Sequence, residues 1–285
     1  MHTTTRRFHH SCAILALSTA ATTATAATFV AANLFDNPDT LYTWDSTGAL
    51  IYQPSGVTLS GDFILGMHLT DLNNGYYISA YTDTGQTTTG IYKITNGFQA
   101  RLRALPFQSP AYAGLIPNAA GDALMTIVDQ NWLSTAVPYR MYKVDFAGVF
   151  TQLMDITTPG ISNPEIKGLC RNPLTGILYA YEQTTNVLLT VNESTGVSNT
   201  VGALGVDAFG AGGMAFSPDG AELVLATGND FEYHIDPQTG HATPIGTFVS
   251  DPSRPECLVS IPEPAPALAL LTGFAGLVRF RGRSS

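Results

Sequence analysis

Five segments of the chain carry one pattern: LYTWDSTGALIYQ, IYKITNGFQARL, MYKVDFAGVFTQL, LLTVNESTGVSNTV and EYHIDPQTGHATPI. In each, a Tyr or Leu opens a short alternating strand, a polar turn ends in Gly, and a second strand returns. Alignment puts Tyr42, Tyr92, Tyr142, Leu189 and Tyr233 in register, with turn glycines at Gly48, Gly97, Gly148, Gly196 and Gly240, a period in the middle to upper forties. A repeat of this length constrains the chain more than any single motif does, because it requires equal units packed on one another. Each turn has a physical reason: Asp, Asn or Thr bonds its own backbone, and Gly takes the positive φ that closes a hairpin with a bulge. Alternation in stretches such as Tyr233-His234-Ile235 predicts strands with one buried face.

A second repeating element precedes the hairpins. ILGMHL, YAGLIPN, IKGLCRNP and GGMAFSPDG place Gly66-Met67, Gly114-Leu115, Gly168-Leu169 and Gly213-Met214 at comparable positions, and each is followed by an apolar strand: YYISAY, ALMTIV, ILYAYE or ELVLAT. One unit is then four strands, the content of a propeller blade. Glycine in the first strand fits the crowding of inner strands near a propeller axis. The first hairpin lacks such a strand before it, and PECLVSI, ending at Ile261, arrives with no hairpin after it. Joining these two ends completes a blade and locks a ring. The expected fold is all-β, a propeller of about five four-stranded blades, with room for a sixth in the poorly patterned stretches 28–40 and 98–120. A β-sandwich explains the strands but not the even period. The Ser217-Pro218-Asp219-Gly220 turn, and Asn172-Pro173-Leu174-Thr175-Gly176 one repeat earlier, resemble turns between the first two strands of blades in bacterial YVTN and WD-repeat propellers. That resemblance covers roughly residues 30–261 and implies fold, not activity.

Composition excludes some partners. The formal charge is -9, and five of the basic residues (Arg6, Arg7, Arg279, Arg281 and Arg283) lie in the two termini, leaving a more acidic body. Such a surface repels phosphate backbones, so nucleic acid is not an expected partner. With 45% hydrophobic and 12% charged residues the chain has the makings of a full core.

The termini read as addresses. MHTTTRRFHH is a positive region, SCAILALSTAATTATAA an apolar and small-residue region, and Ala24-Thr25-Ala26 a small-x-small cleavage pattern, so residues 1–26 are expected to be a secretory signal peptide. Cys12 would leave with it. Cys170 and Cys257 would remain on equivalent strands of different repeats, where buried thiols are the expectation. At the other end Pro262-Glu263-Pro264 precedes an apolar run over 265–278 and then Arg279, Arg281 and Arg283. The run is shorter than the about 20 residues of an ordinary membrane helix, and its arginines would stay cytoplasmic. This tail closely resembles the PEP-CTERM sorting signal of Gram-negative bacteria, although its arginines alternate with Phe280 and Gly282. The resemblance implies export, transient anchoring in the inner membrane through a C-terminal hydrophobic helix, processing by an exosortase, and delivery to a cell surface or extracellular matrix. Exopolysaccharide and surface proteins are the further partners it suggests. The expected organisation is signal peptide 1–26, propeller 27–261 and sorting signal 262–285.

Signatures of chemistry are sparse. The sequence has no H-E-x-x-H, no G-x-S-x-G, no phosphate-binding glycine loop and no C-x-x-C. His68, His234 and His241 lack metal-ligand spacing and read as isolated structural or surface residues. Asp71-Leu72-Asn73-Asn74-Gly75 looks like the opening of a calcium loop, but Thr82 stands where its bidentate Glu belongs. No cofactor or metal is expected; calcium at the Asp-initiated turns is the nearest alternative. Aligned on the Gly-Leu register, Asp62, Tyr112, Glu165, Lys167, Arg254 and Glu256 come from four units to the entrance of the innermost strands, a candidate ligand rim. Three functions follow: a binding module without catalysis, a hydrolase or lactonase-like enzyme centred on the channel, or a structural matrix protein.

Overall fold

The computed structural model describes residues 28–33, 39–45, 53–59, 63–83, 86–105, 111–129, 138–162, 164–208, 210–228, 231–247 and 255–261. Among them every regular element is a strand. β1 (Thr28–Asn33), β2 (Asp39–Asp45) and β3 (Gln53–Leu59) open the chain. The second sheet is β4 (Phe63–Asp71), β5 (Asn74–Asp83), β6 (Gln86–Thr95) and β7 (Phe98–Ala104). The third holds β8 (Ala111–Tyr112), β9 (Ile116–Pro117), β10 (Leu124–Asp129), β11 (Arg140–Val144) and β12 (Phe150–Asp155). The fourth is β13 (Ile166–Arg171), β14 (Leu178–Glu182), β15 (Val187–Val191) and β16 (Ser198–Ala203), and the fifth β17 (Ala211–Phe216), β18 (Leu223–Thr227), β19 (Phe231–Ile235) and β20 (Ala242–Thr247). β21 (Pro255–Ile261) returns to pair with β1, so that the first sheet reads β21-β1-β2-β3.

This is an all-β propeller. Four sheets are four-stranded blades and the other has five strands, which corrects the expectation of uniform four-stranded blades. The cause is Gly114: its φ of +91° turns the inner strand out of the ladder, so β8 and β9 pair separately with β10. The closing blade is built from both ends of the body, with Ala31 opposite Leu258 and Val30 opposite Val259. The signal peptide and the C-terminal helix lie outside the described residues.

A separate apolar core fills each gap between neighbouring sheets. Val30, Leu41 and Leu59 meet Met67 and Tyr77 between the first and second. Ile78 and Ile91 meet Leu115 and Val128 between the second and third, and Met141 meets Leu169 and Leu189 in the next gap. Leu188 meets Met214 and Leu225, and Val224 and Ala226 meet Phe29 and Leu258, which closes the circle. The middle strands of the sheets are therefore covered on both faces, and this is why LMTIVD of β10 and LVLAT of β18 read as unbroken apolar runs and are buried throughout, while the outermost strands such as β7 and β12 stay largely exposed.

The repeat glycines sit where two backbones meet. A Cβ on Gly66 would lie 3.1 Å from the Gly114 carbonyl carbon, one on Gly114 3.1 Å from the Leu169 oxygen, and one on Gly168 3.0 Å from the Met214 Cβ. At Gly213 the neighbours are the Leu258 amide and, at 2.9 Å, the Cys257 carbonyl carbon. Glycine on each inner strand thus lets the next inner strand approach the axis. The hairpin glycines Gly148, Gly196 and Gly240 have φ of +82°, +71° and +78°, as their turns require. Each also rests on the outer part of the preceding sheet: Gly148 on Ile91 and Leu102, Gly196 on Asp155, Gly240 on Gly202.

Candidate functional site

The five inner strands β4, β8/β9, β13, β17 and β21 run from one end of the ring, the entrance, to the other, the exit. Between them lies a cavity of about 250 Å³. Its wall is mostly backbone and apolar side chains such as Leu115, Leu169, Met214 and Leu258, with polar groups from His68, Lys167, Arg171 and Ser260. This mixture follows from the fold: glycines bring the strands close, and side chains turned to the axis find little room.

The polar groups differ in what they are free to do. Arg171 is already committed. Its Nη2 donates to Glu193 Oε2 at 2.6 Å and its Nη1 to the Gly176 carbonyl at 2.8 Å, while Glu193 Oε1 accepts from the Ala119 amide at 3.1 Å. That arrangement clasps the third sheet to the fourth. Ser260 Oγ donates to the Phe216 carbonyl and ties β21 to β17. Lys167 Nζ lies 2.9 Å from Glu165 Oε1. His68 has no hydrogen-bond partner among the described residues, and burial holds its pKa below the ordinary histidine value. The imidazole therefore faces the cavity neutral, with a donor and an acceptor to offer.

Of the six rim residues expected from the sequence, the structure brings together two. Glu165 and Lys167 pair at the entrance. Tyr112 is 7% exposed and packs with Ile78, Leu124 and Tyr142 in the core between the second and third sheets, and it also contributes to the lining of the axial cavity. Burial, with Tyr142 beside it, raises its pKa well above the usual tyrosine value, and its hydroxyl has no partner among the described residues. Asp62 and Arg254 lie outside the described residues, as does the side chain of Glu256. The sorting residues Pro262, Glu263, Pro264, Arg279, Arg281 and Arg283 also lie outside them.

A second acidic group near the entrance escaped the sequence reading. Glu182, at the end of β14, is fully buried, and its carboxyl accepts the backbone amides of Glu165 and Thr184 at 2.9 Å each and of Thr185 at 2.7 Å, as well as the Thr185 hydroxyl. It organises the turn to β15 and fixes the start of β13, and with it Glu165. An acid immediately before Gln183-Thr184-Thr185-Asn186 was the available signal. Cys170 and Cys257 form no disulfide. Both are buried on inner strands, and burial pushes the Cys170 thiol well above its usual pKa, leaving it unreactive. Among the described residues no three His, Cys, Asp or Glu side chains converge as a metal site.

The fold and the axial cavity define the class: a β-propeller whose enclosed space is a channel lined by its inner strands. No protein-family model matches the chain, and no curated protein matches it in sequence. Solved structures resemble it at the level of fold. An auxiliary nutrient binding protein from Bacteroides thetaiotaomicron superposes with a TM-score of 0.46 at 13% identity, over 77% of this chain and 49% of the other. A second auxiliary nutrient binding protein, from Bacteroides ovatus, gives 0.45 at 11%, over 81% and 51%. TolB from Acinetobacter baumannii gives 0.46 at 14%, over 82% and 54%. The chain spans about half the length of each of these proteins.

Proposed function

We propose that this protein is an exported binding module, working at a cell surface or in an extracellular matrix, that takes a small and largely apolar ligand into the central channel. The observation that carries the reading is the axial cavity of about 250 Å³, apolar over most of its wall and carrying an imidazole with no hydrogen-bond partner among the described residues. Pockets of this kind hold a ligand by burial of its apolar surface and orient it through few polar contacts. Two further points support binding over catalysis. Lys167 and Glu165 neutralise one another at the entrance, and Arg171 spends its donors on the framework. The lactonase or hydrolase alternative would use the same mouth, with Glu165 as its base. The structural matrix role leaves the cavity unexplained. For residues 262–285 we read the PEP-CTERM-like tail as a sorting segment that exosortase removes after export.

An environment-sensitive naphthylamine dye tests the channel. The intact protein should bind one dye per chain, and His68→Trp, which puts a larger ring into the cavity, should weaken binding by about tenfold or more. His68→Phe keeps the size and removes the titration. Because the folded imidazole has a lowered pKa, the unfolded chain takes up a proton that the folded one refuses. Stability is therefore whole above the unfolded value of about 6.5 and falls as pH drops below it. The wild-type melting temperature should decline more between neutral pH and mildly acidic pH than that of His68→Phe. Equal dye binding by wild type and His68→Trp would remove the channel from the account.

A further inference from the structure

At the exit end of the ring, where β4, β9, β13, β17 and β21 finish, the hairpin turns carry exposed apolar side chains. Phe98 is 82% and Leu174 75% exposed, and Phe146, Ile177 and Val197 are exposed on further turns of the same end, in the second, third and fourth sheets together. These five, of seven large exposed hydrophobic residues among those described, sit at or next to the turns of that one end. Clustered exposed apolar groups mark an interaction face. β21 ends on the same face, with Ser260 bonded to the end of β17. Only Pro262, Glu263 and Pro264 then separate Ile261 from the apolar run over 265–278.

We propose that the exit face of the propeller rests on the surface of a zwitterionic phospholipid bilayer while the tail is membrane-inserted. The inference rests on the membrane reading of residues 262–285 above. The linker sets the first constraint: four residue steps from Ile261 to Ala265 reach at most about 14 Å, so an inserted run holds this face within that distance of the lipid. Length sets the second. Fourteen residues of helix span about 21 Å, against a hydrocarbon core of about 30 Å. A run this short draws its flanking protein into the headgroup layer, and the flanking protein here presents Leu174, Phe98 and Phe146.

Charge selects the lipid. Asp71, Asp145, Asp219 and Asp236 stand in the turns of this face and accept backbone amides within their own turns. For Asp219 and Asp236 hydrogen bonds, first from the Ser217 and Thr239 hydroxyls, lower the pKa and keep them ionised. Fixed negative charge among the apolar contacts favours a surface without net charge and is repelled by an anionic one.

The test uses the full chain with Cys12→Ser, bound to phosphatidylcholine vesicles, since Cys170 and Cys257 are buried. A polarity-sensitive fluorophore is attached at Leu174→Cys, at Phe98→Cys, or, as a control at the entrance end, at Phe231→Cys. The probe at 174 or 98 should shift to the blue and be quenched by a lipid-borne nitroxide at least about twofold more than at 231. Replacing part of the phosphatidylcholine by phosphatidylglycerol should reduce that difference. Equal, water-like emission at all three sites on protein that floats with the vesicles would overturn the proposal and leave the inserted tail standing. Failure to float would overturn both. A blue shift at 174 without vesicles would assign the face to the chain's own tail, and one that grows with protein concentration would assign it to a second copy; either overturns the lipid surface.

Discussion

Gly213→Val is expected to cost about 3 kcal/mol or more, at the upper end for overpacking, and to lower the thermal midpoint accordingly. The added atoms have nowhere to go. The first of them meets the Leu258 amide nitrogen and stands 2.9 Å from the Cys257 carbonyl carbon, both backbone, both held in the β21 ladder to β1. Relief requires β21 to move away from β17, which opens the seam where the chain's two ends close the ring. Gly121→Ala is the comparison. Gly121 also has a positive φ, +71°, but a Cβ there would meet nothing within 4 Å, so only the backbone term remains, about 1 kcal/mol. Thermal unfolding of the two variants side by side separates the crowding of inner strands from the conformational demand of a turn.

Glu182→Leu is expected to destabilise by roughly 1–3 kcal/mol, because it takes a fully buried acceptor from three partly buried backbone donors. The donors are the amides of Glu165, Thr184 and Thr185. Glu182→Gln should cost less, since it keeps one acceptor oxygen, but not nothing, since its amide nitrogen must face a donor. Denaturant unfolding of both gives the order Leu worse than Gln. A neutral Leu variant would mean that water reaches these amides and that the turn is not sealed. The turn also positions Glu165, so the Glu165–Lys167 pair at the channel mouth should loosen in either variant.

The ring was legible in the sequence because its causes are local. A hairpin glycine, an alternating strand and a Gly on the inner strand each leave a mark at a fixed offset, and Gly97, Gly148, Gly196 and Gly240 all take the positive φ their turns demand. The joining of PECLVSI to the first hairpin was legible because both ends lacked a partner. The five-stranded sheet was not, since a glycine in YAGLIPN that adopts φ of +91° looks the same in a sequence as one that stays extended. For the site, register along a strand predicted which residues begin the inner strands but not where their side chains turn. Lys167 and Tyr112 both line the channel and Glu165 pairs with Lys167, but the Tyr112 ring is at the same time part of the core between two sheets. Glu182 holds its own turn through the Thr184 and Thr185 amides and reaches across to the Glu165 amide, and that longer reach leaves no mark in residue identity. His68 was visible as an inner-strand residue, but a cavity around it is a property of five strands together.

The inner strands surround a channel only if the last strand returns to the first. Replacing Val30 and Val259 by cysteine in the Cys12→Ser chain tests this directly, since the two residues face each other across the β1–β21 ladder. Mild oxidation followed by intact mass and thermal unfolding is the measurement. The expected result is loss of two hydrogens in a monomer, with stability raised by up to about 5 kcal/mol for so long a closed loop. A product that stays reduced, or that links only between molecules, would contradict the closed ring and with it the channel.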